Sequence, residues 1–211
     1  MHNNKFNIIW PLFIGFYLLV HLFFIPQAWG QQAISDSGYI SYITIIFLFA
    51  SLIFTLKAST NDLYKKYKID IYILVYCLLI YVLREADFHR LFTDEHVTRM
   101  KFFMNPEINL QQKIIGGTPV ILFFICAIYL IVKYSKLIFT HLLRTTPWAI
   151  AVFMWGLIFI LSQAMDKSDL NDIYQGRAAE EIMEMCASGY LLLAIIQSFF
   201  PSMLLFRRKN H

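Results

Sequence analysis

The sequence predicts an all-α, polytopic integral membrane protein. Three observations carry that expectation. The composition is too apolar for a soluble domain, the apolar residues gather into six runs of bilayer length, and basic residues crowd one set of run ends. Of 211 residues, 58% are hydrophobic and 15% charged, where a soluble domain carries about 25% charged residues. A chain this apolar cannot cover its own core with polar surface, which excludes a soluble globular enzyme, a disordered chain and a disulfide scaffold. One helical membrane domain over residues 1–211 is expected, because every backbone polar group inside lipid must be satisfied within the structure.

A hydrocarbon core about 30 Å thick takes roughly 20 helical residues to cross. The first run, about 8–25, follows Lys5 and contains Pro11 and His21. Ala28-Trp29-Gly30 after it also fits the cleavage site of a secretory signal, but the length of the run favours a retained helix. The second run is 39–56 and the third 69–88. The fourth, 114–132, is entered through Gly116-Gly117-Thr118-Pro119, which reads as a bend or a close backbone approach. That segment lacks the lysine and spacing of a phosphate-binding nucleotide loop. The fifth run is 148–165 and the sixth 185–206. Cys77, Cys126 and Cys186 lie in or beside apolar runs with no CxxC pair, so they read as packing residues.

Orientation follows from the charges. With six crossings and the N-terminus in the cytoplasm, the inner side carries +9 and the outer side −5, together the +4 of the chain. The densest basic cluster, Lys57 to Lys68, then lies inside. Basic residues set orientation, so both termini are expected in the cytoplasm of a cell inner membrane.

The third run carries the chemistry. Its uncharged part, 71–83, covers only about 20 Å of helix at 1.5 Å per residue, so Arg84, Glu85 and Asp87 are drawn into the outer leaflet or its interface. Charges at membrane depth are costly and commonly line a bundle interior or a wet cavity. On a helix, Glu85, His89 and His96 fall within about 40° of one another. A Glu and a His one turn apart can reach a single metal ion. The fifth run ends at Asp166, and Glu180, Glu181 and Glu184 precede the sixth, with Glu181, Glu184 and Ser188 on one face. The bland reading pairs Arg177 with Glu181 and assigns the acids to a helix N-terminus, where the dipole favours them.

These placements suggest a metal held by Glu85, His89, Asp166 and Glu184, with Asp87, Glu181 and Ser188 as catalytic residues. Carboxylate and imidazole suit a divalent ion, zinc before iron or manganese. Such an ion lowers the pKa of a bound water to near neutrality. Arg84, Arg90, Arg99 and Lys101 would hold a phosphate, so a membrane lipid or lipid phosphate is the expected substrate and hydrolysis or group transfer at the outer face the expected reaction. Two rivals use the same residues: a cation- or proton-coupled transporter, and a noncatalytic partner of another membrane protein or of a second copy. Nucleic acid is excluded as a partner, because the basic residues flank apolar runs.

Other motifs fail. His89-Arg90-Leu91-Phe92-Thr93-Asp94 resembles the HxxxxD pattern of glycerolipid acyltransferases, yet nothing else of that fold is present. Glu180-Glu181 resembles the EExxxR opening of CAAX-type intramembrane proteases, but Met185 stands at the arginine position. The GxSxG elbow, the HExxH zinc motif and the phosphatidic-acid-phosphatase signature are absent.

Overall fold

In a computed structural model of the chain, residues 4–24, 38–86, 88, 100–106, 108–166 and 174–200 are described. Among the described residues all regular structure is helical. The order is α1 (Asn4–Phe24), α2 (Tyr39–Ser59), a 3-10 turn (Asp62–Tyr67), α3 (Lys68–Glu85), the short α4 (Met100–Met104), α5 (Leu110–Leu143), α6 (Pro147–Asp166) and α7 (Tyr174–Phe199).

Four helical segments are long and apolar enough to cross a membrane: Tyr39–Ser59, Leu110–Leu143, Pro147–Asp166 and Gly176–Phe199. By length and composition the chain is an α-helical, multi-pass membrane protein. α1 adds a shorter apolar stretch, Pro11–Val20. α3 stays outside this set because its 18 residues carry Lys68, Asp70, Arg84 and Glu85.

Two helices differ from the expected runs. α7 begins at Tyr174, well ahead of position 185, and no acid stands in its first turn. Glu180, Glu181 and Glu184 depress the apolarity of those turns, yet the turns are helical. The glutamates therefore lie inside the helix and not at the dipole-favoured N-terminus. Positions 201–206 of the expected run lie outside the described residues. α5 runs on past 132 to Leu143 and passes through Gly116 to Pro119 as one helix. Gly117 serves a close approach: a Cβ there would lie 2.7 Å from the Phe103 ring.

The contacts divide the chain into two compact units, Met1–Phe54 with Leu137–His211, and Thr55–Lys136. The first unit is built on α7. Two thirds of its apolar span is buried (67%), against 6% for α5. Ala178, Ala187, Ser188 and Ala194 are all buried, and small side chains let neighbouring helices approach closely. Ile40, Ala151, Ile158, Ile182, Met185 and Tyr190 close the core around them.

The directions of the first-unit helices can be read from their contacts. Gly189 faces Pro11 while Gly15 faces Ile182 and Cys186, so α1 runs opposite to α7. Ser41 meets Glu181, Phe47 meets Gly189 and Phe54 meets Phe200, so α2 runs parallel to α7. Ser162 and Gln163, near the end of α6, meet Glu184 in the first half of α7. α6 therefore runs opposite to α7, as helices joined by a short connection do.

α5 and α6 are joined by a tight turn. Thr145 is left-handed at φ 52°. Its N–H donates to the Leu142 carbonyl, and the Thr146 N–H donates to the His141 carbonyl. This is a Schellman closure with threonine where glycine is usual. Thr146 then precedes Pro147 at the first position of α6, where the missing N–H is least costly.

Two outcomes follow from the packing. Gly15→Ala places a methyl against Cys186 Sγ, which donates to the Pro11 carbonyl at 3.2 Å. It should destabilise the detergent-solubilised protein by about 1–3 kcal/mol, and Cys186→Ala in the same chain should recover most of that loss in a double-mutant cycle. Thr145→Gly should instead raise thermal stability by roughly 1 kcal/mol, because a β-branched residue in the left-handed region is strained.

Candidate functional site

Glu181 and Glu184 stand about one turn apart on α7, so both carboxylates project from the same side of the helix. Glu184 is 7% exposed. Its Oε1 accepts from Gln163 Nε2 at 3.0 Å and from the wholly buried Ser162 Oγ at 3.4 Å. Glu181 Oε2 accepts from Ser41 Oγ at 3.3 Å. Three helices, α2, α6 and α7, thus converge on two carboxylates. All the hydrogen-bond donors named here are neutral, so they soften the desolvation of the acids without cancelling their charge. Arg177, exposed and one turn earlier, attracts the Glu181 charge, while Glu184 and Glu180 repel it.

The site is rich in oxygen. Besides the carboxylates it contains two serine hydroxyls and the Gln163 amide, whose carbonyl oxygen is a further acceptor. Such a set suits a proton or a hard cation, which takes carboxylate, carbonyl and hydroxyl oxygens. Among the described residues no group of three His, Cys, Asp or Glu side chains is placed to hold a metal ion. Ser188 is fully buried, and its hydroxyl donates to the Met185 carbonyl at 2.7 Å, a hydroxyl satisfied by its own helix.

The other sequence-derived residues are distributed as follows. Arg84 and Glu85 end α3, with Arg84 Nε 3.8 Å from Glu85 Oε1 and Glu85 the more buried side chain. Asp166 is exposed at the end of α6. Asp87, His89, Arg90 and Arg99 lie outside the described residues, as do the side chains of Lys101 and His21. Glu85 belongs to the second unit, and Asp166, Glu181 and Glu184 to the first.

Sequence reasoning passed over a second polar cluster, inside the second unit. Asp70, near the start of α3, is buried. Lys133 Nζ donates to its Oδ1 at 2.8 Å and Oδ2 at 2.9 Å. The Tyr129 hydroxyl donates to Oδ1 at 2.9 Å and the Tyr134 hydroxyl to Oδ2 at 2.6 Å. Tyr129 and Lys133, four apart, share one face of α5, with Tyr134 about 100° further round, and the Tyr129–Lys133 spacing was the available signal. Further along α3, the Tyr76 hydroxyl donates to the Pro119 carbonyl at 2.9 Å. The Asp70 cluster reads as a clamp between two helices, with every carboxylate oxygen satisfied.

Together these features define a multi-pass helical membrane protein with a buried Glu184 beside a half-buried Glu181 in one unit and a neutralised ion pair in the other. No protein-family model matches the chain, and no curated protein or solved structure is similar to it.

The clamp has a measurable consequence. Asp70→Asn removes the charge that holds Lys133 and both tyrosines, so thermal stability in detergent should fall. Lys133→Met should cost at least as much, because it leaves the Asp70 carboxylate, 9% exposed, without its cation, whereas the lysine left by Asp70→Asn is 42% exposed and can hydrate.

Proposed function

We propose that this protein is a six-span inner-membrane protein with both termini cytoplasmic, and that it binds and releases a cation or proton at Glu181 and Glu184, as a cation- or proton-coupled carrier does. The observation that carries this reading is the burial of Glu184 within an apolar span, about one turn from a second carboxylate. Two neighbouring negative charges at that depth repel each other and are costly to desolvate, so a resting state of the pair includes a proton or a bound cation. Exchange of that neutralising species is the chemistry the site is suited to perform. The alternation of helix directions in the first unit supports the six-span topology: α1 and α6 oppose α7, and α2 runs with it.

A metal-dependent hydrolase or transferase acting on membrane lipid would draw on the same glutamates, with Glu85 and His89 added to hold zinc. The side chains bonded to the α7 pair, two serines and a glutamine amide, favour the carrier, because zinc sites commonly include imidazole or thiolate ligands.

Purified protein in detergent and in proteoliposomes tests the proposal. The wild type should gain thermal stability with one of sodium, potassium, calcium or magnesium, or should conduct protons across the vesicle. Glu184→Gln should abolish the response while keeping its helix content. A wild type indifferent to all of these would overturn the carrier reading. Stoichiometric zinc by elemental analysis, lost in Glu85→Gln, would replace it with the hydrolase.

A further inference from the structure

A different surface lies where α2 ends and α3 begins, within the second unit. Lys57 stands in the last turn of α2, Lys65 and Lys66 close the 3-10 turn, and Lys68 opens α3. All four are exposed. The turn is a defined structure: Asn61 caps it, its Oδ1 accepting from the Leu63 N–H at 3.0 Å. Four lysines there face a single exposed acid, Asp62. The next acid, Asp70, gives its charge to Lys133 and two tyrosine hydroxyls and does not offset the surface lysines.

Apolar side chains are interleaved with this charge. Leu63 is 81% exposed and Ile69 75%. Lys66 Nζ lies 5.9 Å above the Tyr67 ring, and Lys68 Nζ lies 5.9 Å above the Tyr72 ring. Basic heads, tyrosine rings and bare aliphatic side chains in one short segment are the mixture found at the bilayer interface. The position agrees, because the segment follows directly on a helix of membrane-spanning length that ends at Ser59.

We infer that this turn binds the headgroups of anionic phospholipids, with Lys65, Lys66 and Lys68 on the phosphates and Leu63 and Ile69 entering the acyl boundary. Juxtamembrane lysine clusters attract an anionic leaflet, and the attraction is screened by salt. Charge alone would equally suit an acidic protein. The exposed leucine and isoleucine at the end of an apolar helix decide for lipid. The inference is independent of any activity at Glu181 and Glu184.

The full-length protein is reconstituted in nanodiscs of phosphatidylcholine with and without phosphatidylglycerol, and the lipids retained on partial delipidation are counted by native mass spectrometry. The wild type should retain phosphatidylglycerol preferentially, and added salt should weaken that preference. K65Q/K66Q/K68Q should reduce it by roughly tenfold or more, and K65R/K66R/K68R should preserve it. L63Q/I69Q should weaken retention of the lipid without removing its salt dependence. Equal retention of the two lipids by the wild type, a preference indifferent to salt, or an undiminished preference in the glutamine variant would each overturn the inference. Displacement of phosphatidylglycerol by polyglutamate at low concentration would also overturn it, and would reassign the surface to an acidic protein.

Discussion

A helix that carries charge cannot be turned to lipid, and the first unit is organised by that constraint. α7 holds Arg177, Glu180, Glu181, Glu184, Ser188 and Gln197 along a span otherwise apolar enough to cross a membrane. Facing hydrocarbon, each of these groups would need a partner it could not find there. Packed inside, Glu184 is served by α6 and Glu181 by α2. The small residues Ala178, Ala187, Gly189 and Ala194 are the complement of this demand: they let neighbouring helices approach closely, so that hydroxyls and an amide from α2 and α6 reach the carboxylates. Apolar exposure is then left to the other helices, which explains Phe13, Phe16 and Tyr17 on α1 and Leu157, Ile160 and Leu161 on α6, all exposed.

Much of this architecture is written in the pattern of apolar runs. Four of the six expected runs overlap helices of spanning length, and the run around α3 is a helix shortened in apolar terms by its terminal charges. The site was only half legible. Glu181, Glu184 and Ser188 were placed on one face by their spacing, but as residues at the outer rim of a helix. A hydropathy boundary treats a carboxylate as the end of a membrane segment. Here partners on other helices carry the cost and the segment continues. Those partners, Ser41, Ser162 and Gln163, are neutral residues in apolar stretches, with no periodicity or charge to mark them. Their role depends on which helix lies opposite, and that is not a property of local sequence.

The clamp at Asp70 shows the same logic in a different form. Its carboxylate is fully hydrogen-bonded and paired with one lysine whose head remains near water. The Glu181–Glu184 pair accepts from the neutral Ser41, Ser162 and Gln163, and each carboxylate has the other as a like-charged neighbour. A satisfied ion pair fixes α3 against α5 and resists change, whereas two carboxylates that repel each other are sensitive to whatever neutralises them. The contrast between the two clusters, rather than the burial of either acid alone, separates the structural site from the candidate functional one. At the opposite extreme, Gln197 is buried, and among the described residues neither of its amide atoms has a hydrogen-bond partner.

α5 extends over 34 residues, or about 51 Å at 1.5 Å per residue. The hydrocarbon layer is about 30 Å thick. A rod that long must either tilt steeply or emerge by several turns, and the lysines at 133 and 136 interrupt its apolar surface before Leu137, Phe139 and Leu143, which are exposed beyond them. Its fit therefore depends on how thick the surrounding bilayer is. A thicker membrane would draw the lysine-bearing turns toward the acyl chains, and a thinner one would leave the aliphatic tail of the helix at the headgroups. Acyl-chain length thereby becomes a mechanical variable acting on the same helix that Asp70 holds to α3.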